Sequence, residues 1–168
     1  SLDEKKAHGN LIQAFANKFK QNSSFQLHIA GRGSLENSLK KLAVTLGVEE
    51  QVFFLGQLNR DEIKRCLQQS NAFVLSSTYE TFGVVLIEAM ACGKPVIATA
   101  CGGPENIVHD RNGYLIEPNN IEALAHAMEK MVHNYTNFNE LEIKADCIKR
   151  FGSVSFAKQL QQLYQQYV

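Results

Sequence analysis

The chain has 168 residues, of which 45% are hydrophobic and 20% charged, so it can bury a core and is not a disordered tail. Lysine plus arginine and aspartate plus glutamate number 17 each, and the formal net charge of +0 removes the positive field of a nonspecific nucleic-acid binder. No apolar stretch approaches the roughly 20 residues of a membrane helix. The four cysteines and five histidines show no metal-ligand spacing, so no metal site and a reducing, cytoplasmic location are expected.

Short apolar runs alternate with segments of helical period, which predicts an α/β fold with a doubly wound, mostly parallel, Rossmann-like sheet. Such a domain usually opens with a strand, but here a helix around Leu11 to Phe19 comes first, so the first strand is predicted to be missing. The predicted strands are residues 25–30, 52–55, 72–76, 95–98 and 114–116. Further helices are predicted over 35–46, after an N-cap at Asn59, after another at Asn119, and over 141–148 and 156–167.

One segment, from Ser76 to Ile107, carries a candidate site. A strand ending near Ser76 precedes Glu80, a Phe82-Gly83 corner, and a helix whose residues Val84 to Ile87 are all apolar, so that helix is predicted to be buried. Its N-terminus offers unpaired NH groups and a partial positive charge beside a glycine, which suits a phosphate or a sugar hydroxyl. Ligands of open parallel sheets bind at this carboxyl edge of the strands.

Two carboxylates flank the corner, Glu80 before it and Glu88 within the helix. An acid in a buried apolar helix is costly unless its oxygens are hydrogen-bonded, and vicinal ribose hydroxyls could do this for Glu88. Taken singly, Glu88 could equally pair with an internal cation or cap a loop, and Glu80 could be an ordinary turn residue. Together with the glycine between them, the two carboxylates are a more specific signal of a binding site.

The corner stands in a longer run with a distinctive order: Glu80, Phe82, Gly83 and Glu88, then AMACGKPVIAT over 89–99, then Gly102, Gly103 and Glu105. This run resembles the retaining glycosyltransferases of family four, the group 1 glycosyl transferases, and specifically the C-terminal half of their GT-B fold. The likeness extends from about Lys6 to Val132. It implies that residues 1–168 form a donor-binding domain and that an N-terminal acceptor domain is absent from this chain.

The resemblance also implies roles for individual residues. Glu80 would hold hydroxyls of the donor hexose and position the anomeric centre, as the catalytic residue, while Glu88 would bind the nucleotide ribose. The groups implied to contact the sugar and diphosphate are the backbone NH groups of Phe82, Gly83 and Val84.

Two further donor contacts are implied outside the corner. Leu58, in the loop after the second predicted strand, would lie along the base. Lys6 matches a family lysine that neutralises the leaving diphosphate, although it could also be a solvated lysine near a chain end. The partner arginine of that lysine has no counterpart, because Ser1 stands at its position. Arg32, in a G-x-G turn without a third glycine, could reach a phosphate, but a tight turn is the favoured interpretation.

The activity implied is transfer of a hexosyl unit from a nucleotide-diphosphate sugar to a saccharide or lipid-linked acceptor hydroxyl, with retention and without metal or cofactor. Surface polysaccharide or glycolipid synthesis is expected, with peripheral attachment to the inner membrane face through the absent domain. This chain alone is expected to bind donor weakly and not to catalyse transfer. The alternatives are a nonenzymatic nucleotide-binding module, which needs only the second carboxylate, and a GT-B nucleotide-sugar epimerase or hydrolase, which needs other acids and histidines.

Overall fold

Five short strands and seven α-helices are present in the computed structural model, which describes the backbone of residues 1–165 and the side chains of these except 156, 158–160 and 163. The strands are β1 (Leu27–Ala30), β2 (Val52–Gly56), β3 (Phe73–Leu75), β4 (Val96–Thr99) and β5 (Gly113–Ile116). The helices are α1 (His8–Phe19), α2 (Glu36–Leu46), α3 (Arg60–Gln69), α4 (Val84–Ala91), α5 (Ile121–His133), α6 (Glu140–Phe151) and α7 (Ser153–Gln165). The last predicted helix extended to 167, and its final two residues lie outside the described part.

All the strand pairs are parallel, which confirms the predicted α/β class. Within residues 1–165 the strands form two sheets, β1-β2 and β3-β4-β5. In the doubly wound order the first strand lies between these two groups. The described residues before β1 contain no strand, only a 3₁₀ helix at Glu4–Lys6 followed by α1. Among the described residues, β1 therefore pairs with β2 alone and β3 with β4 alone.

The N-terminal segment, residues 1–7, joins the carboxyl ends of the two sheets. Leu2 is fully buried, and its NH donates to the carbonyl of Arg32, which follows β1. On the other side, the NH of Thr78 donates to the carbonyl of Lys5 at 2.7 Å. The hydroxyl of Ser76 donates to the carbonyl of Lys6 at 2.8 Å. Lys6 is therefore held against the segment that follows β3.

The core is centred on β4, whose four residues are all buried, as expected for a parallel strand covered on both faces. Helix α1 packs on α2 and α5 with a stripe that includes Ile12 and Phe15, and α4 packs on α6. The predicted cap at Asn59 is confirmed, because its side chain and that of Glu62 form a reciprocal capping box. The cap predicted at Asn119 is wrong by one residue: Asn120 accepts from the NH of Ala123.

No helix among residues 1–165 is both long enough and apolar enough to span a membrane.

The backbone of Ala7, between the 3₁₀ helix and α1, lies in the left-handed region at φ 48° and ψ 40°. A Cβ there costs about 1–2 kcal/mol. Replacing Ala7 by glycine should therefore raise the free energy of unfolding by about 0.5–1 kcal/mol, after the greater entropy of glycine in the unfolded chain is subtracted. Urea unfolding of Ala7→Gly against the wild type measures this.

A matched control is Ala145→Gly, at an exposed position inside α6, where loss of helix propensity should cost about 1 kcal/mol. The two substitutions are thus expected to change stability in opposite directions. Equal destabilisation by both would show that the Ala7 backbone carries no strain.

Candidate functional site

Two loops meet at the carboxyl edge of β3 and β4. The Phe-Gly corner, residues 80–84, follows β3, and the Gly-Gly turn, residues 102–107, follows β4. An isolated parallel bridge joins Glu80 to Gly102: the NH of Glu80 donates to the carbonyl of Cys101, and the NH of Gly103 donates to the carbonyl of Glu80 at 2.7 Å. The backbone of Glu80 is therefore fixed on both sides by the neighbouring loop.

The close contact between these loops requires glycine at two consecutive positions. A Cβ on Gly102, whose φ is +124°, would overlap the carbonyl oxygen of Glu80, and one on Gly103 would overlap the backbone of Phe82. The carboxylate of Glu105 accepts from the NH of Gly102 at 2.9 Å, which closes the turn. The Gly-Gly-x-Glu pattern therefore has a steric explanation in this fold.

Lys6 and Glu80, both predicted site residues, form an ion pair. Lys6 Nζ donates to Glu80 Oε2 at 2.7 Å, and both side chains are partly buried. This hydrogen bond, together with those from the backbone NH groups of Phe82 and Gly83, keeps the pKa of Glu80 below its ordinary value. Lys6 is thus a partner of the corner, and its interpretation as a lysine free in solvent is wrong.

The corner leads directly into the N-terminus of α4. Gly83 is its N-cap, in the left-handed region at φ 93°, and Leu86 and Ile107 pack where a Cβ would extend. The side chains of Phe82 and Val84 are 52% and 57% exposed, so this helix end faces solvent.

Helix α4 is not buried all round, which corrects the prediction for this helix and for Glu88. Leu86, Ala89 and Met90 face the core, whereas Val84 and Glu88 are exposed on another side. Apolar residues at every position allow burial but do not require it, and an eight-residue helix can pack with one face only. Glu88 therefore carries no desolvation cost in this structure and needs no internal cation.

Leu58 and Arg32 lie at the same edge, in the other sheet. Leu58 is half-buried between β2 and α3, and Arg32 is exposed after β1. Leu58 follows β2 and Glu80 follows β3, so each lies at the carboxyl end of its strand. The structure describes a direct contact between Lys6 and Glu80, and places Glu88 one turn along α4 from Val84.

The contact that sequence reasoning missed comes from α6. Arg150 donates from Nη1 to the carbonyl of Ile107 at 2.9 Å and from Nη2 to the carbonyl of Asn106 at 2.6 Å. The only signal in the sequence is a basic residue near a helix end, which is too common to indicate a partner 43 residues away.

The described side chains include no group of three histidine, cysteine, aspartate or glutamate residues arranged to hold a metal ion. That the reaction proceeds without a metal stays a prediction.

One family profile and several known proteins match most of the chain. The profile of the family described as "Glycosyl transferases group 1" matches residues 1–150. The chain is 32% identical over 159 residues to an N-acetyl-alpha-D-glucosaminyl L-malate synthase of Bacillus anthracis, covering 92% of this chain and 41% of that protein. It is 34% identical over 130 residues to a lipopolysaccharide core biosynthesis glycosyltransferase of Rhizobium meliloti, covering 77% and 36%.

Among solved structures, the HepE protein of Anabaena in complex with UDP superposes with a TM-score of 0.85 at 28% identity, over 98% of this chain and 46% of that one. The same protein has been solved with UDP-glucose. The chain spans about two fifths of the length of the curated relatives it matches first.

The close contact between the two loops should make the protein sensitive to any side chain at Gly103. Gly103→Ala should lower the free energy of unfolding by about 1–3 kcal/mol, because the added methyl displaces the backbone of Phe82. Gly9→Ala is the matched control: its Cβ would meet only Leu42, at an ordinary 3.7 Å, inside α1. That change should be neutral or stabilising by up to about 1 kcal/mol. Chemical denaturation measures both, and a Gly103→Ala variant as stable as Gly9→Ala would contradict the loop contact.

The stabilisation that the Lys6–Glu80 ion pair provides should depend on pH. A double-mutant cycle of Lys6→Met and Glu80→Gln should give a coupling of about 0.5–1 kcal/mol at pH 7. Because the pKa of Glu80 is lowered on folding, this stabilisation is complete above the ordinary carboxyl value near 4.5 and is lost as the pH falls through the lowered value. Unfolding cycles from pH 7 down to 3 measure the loss.

The control for this cycle is the pair Lys40–Glu36, an exposed i,i+4 contact on α2. Its coupling should be smaller, about 0.3 kcal/mol. A Lys6–Glu80 coupling that grows as the pH falls, or that is no larger than this control, would refute the assignment.

Proposed function

Because the chain belongs to the group 1 glycosyl transferases and has the Rossmann-like fold of the C-terminal domain of GT-B enzymes, we propose that it is the donor-binding domain of a retaining glycosyltransferase. The donor would be a nucleotide-diphosphate sugar, and a hexosyl unit would pass to an acceptor hydroxyl. The observation that carries this proposal is the Lys6–Glu80 pair at the N-terminus of α4. The chain spans only about two fifths of the length of its first relatives, so the proposed activity is that of the whole enzyme.

The charge arrangement supports diphosphate binding at the corner. The N-terminus of α4 carries a partial positive charge, and the Lys6 ammonium lies beside it, paired with the Glu80 carboxylate. Both would stabilise negative charge as it develops on the leaving diphosphate, a form of preorganised electrostatic catalysis. With a formal net charge of +0, this local field is the feature that attracts the anion.

Glu80 is proposed as the residue that orients the hexose. Its carboxylate is an acceptor for sugar hydroxyls, and its low pKa keeps it charged at neutral pH. Two loop hydrogen bonds hold its backbone, so an acceptor is preset in position before the donor arrives. The bond to Lys6 couples the sugar contact to the cation proposed for the diphosphate.

Glu88 is proposed to bind the ribose from its exposed position. It stands four residues after Val84, so the two share a helix face and lie about 6 Å apart along the axis. A nucleotide with its diphosphate at the start of α4 would then place its ribose one turn along. Leu58, at the end of β2, is proposed to line the base on the other sheet.

The remaining features of the whole enzyme are also proposals. An N-terminal domain outside this chain would bind a saccharide or lipid-linked acceptor in polysaccharide or glycolipid synthesis. The Rhizobium relative is named for lipopolysaccharide core biosynthesis. Catalysis would need neither metal nor cofactor, and the enzyme would work in the cytoplasm, at the inner membrane face through that other domain.

Calorimetric titration of the chain with UDP-, GDP- and ADP-sugars tests the donor site. The sugar nucleotide of one base is expected to bind. Glu88→Ala should weaken that binding at least about tenfold, because two ribose hydroxyls would lose their carboxylate acceptor. Glu49→Ala is the matched control, since Glu49 is an exposed acid at the amino end of β2, on the opposite edge from the corner. Absence of binding by all three donors, or equal affinities of Glu88→Ala and wild type, would refute the proposal.

A further inference from the structure

The last turn of α6 reaches across to the Gly-Gly turn. Its Arg150 donates to the two consecutive carbonyls of Asn106 and Ile107, at the C-terminal end of the 3₁₀ helix Gly103–Asn106. Carbonyls at a helix end have no partner within the helix, and a cation is favoured there. The planar fork of a guanidinium can serve two neighbouring acceptors at once, which a single ammonium cannot do in a fixed geometry.

The Arg150 side chain is itself held in place. Asp146, one turn earlier on α6, accepts from Nη1 at 3.2 Å, and the same Oδ2 atom is 3.1 Å from His109 Nε2. The guanidinium also lies 4.7 Å from the ring centre of Phe151. Arg150 and Asp146 are partly buried, so solvent screens this pair less than a surface pair.

The Gly-Gly turn and α6 both contact the Phe-Gly corner. Ile107 is 1% exposed and packs at the position where a Cβ of Gly83 would point. The ring of Phe151 meets the ring of Phe82 edge to face, with centroids 6.5 Å apart. At the other end of the turn, the NH of Gly103 donates to the carbonyl of Glu80. The corner is therefore in contact with both elements that Arg150 connects, α6 and the Gly-Gly turn.

We propose that Arg150 is a positioning residue for the donor site, acting through the Gly-Gly turn rather than by touching the donor. It caps the C-terminal end of the turn, and the capped turn holds Glu80 and Gly83 in the arrangement that binds the sugar and diphosphate. The role in donor binding rests on the proposed function, whereas the effect on the turn does not.

Amide hydrogen exchange of the chain tests the effect on the turn without any ligand. In Arg150→Met the stem of the side chain remains but two carbonyls lose their charged donor, so exchange of the Gly103 amide should accelerate about tenfold or more. The amide of Ile97, in the middle of β4, reports global unfolding and should change much less. Lys149→Gln, which removes a charge at the preceding exposed residue, is the control and should leave both amides unchanged.

Arg150→Lys separates the fork from the charge. A lysine keeps the positive charge but donates to one carbonyl at a time in most geometries, so its Gly103 exchange should lie between those of the wild type and Arg150→Met. Equal acceleration of Gly103 and Ile97 in Arg150→Met would reduce Arg150 to a general stabiliser and overturn the proposal. Unchanged Gly103 exchange would overturn it as well.

Titration with UDP, GDP and ADP completes the test. The nucleotide that binds the wild type should bind Arg150→Met at least threefold more weakly, with Arg150→Lys in between and Lys149→Gln unchanged. Unaltered affinity despite faster Gly103 exchange would overturn the role in donor binding. If the wild type binds none of the three nucleotides and none of their sugars, the proposed function fails, and the exchange result still decides whether Arg150 positions the corner.

Discussion

The backbone contact between the Phe-Gly corner and the Gly-Gly turn is the constraint on which the site depends. It requires a pair of residues without Cβ atoms at Gly102 and Gly103, and in return it fixes Glu80 on both sides. The same contact sets where α4 begins, since Gly83 packs against Ile107 of the turn. The two loops thus form one unit at the edge of the sheet.

Charge at this site is organised locally. The chain has as many basic as acidic residues, yet the start of α4 has both a helix terminus and the Lys6 ammonium. Lys6 reaches Glu80 because residues 1–7 run between the ends of the two sheets, held by backbone hydrogen bonds on each side. The N-terminal segment therefore has two roles: it joins the two sheets formed by the described residues, and it supplies the cation at the corner.

Sequence patterns predicted this site in part, and the differences have physical causes. The strands, the cap at Asn59 and the pairing of Glu80 with the glycine corner follow from local periodicity, hydrogen-bonding capacity and short-range spacing. The exposure of Glu88 could not be predicted, because an apolar helix does not reveal which of its faces has a neighbour. Arg150 was missed because its partners are carbonyls, which every residue has, so no residue type marks them. The roles of Lys6, Leu58 and Glu88 toward a donor remain predictions.

The exposed face of α4 also differs from the two loops in how freely its residues can be replaced. Backbone groups and two glycines form the part of the site nearest Glu80, so substitution there disturbs the fold itself. Val84 and Glu88, in contrast, point to solvent from a helix whose opposite face is anchored by Leu86 and Met90. Side chains on this face can therefore be replaced at little cost in stability, whereas replacement of either glycine disturbs the contact between the two loops.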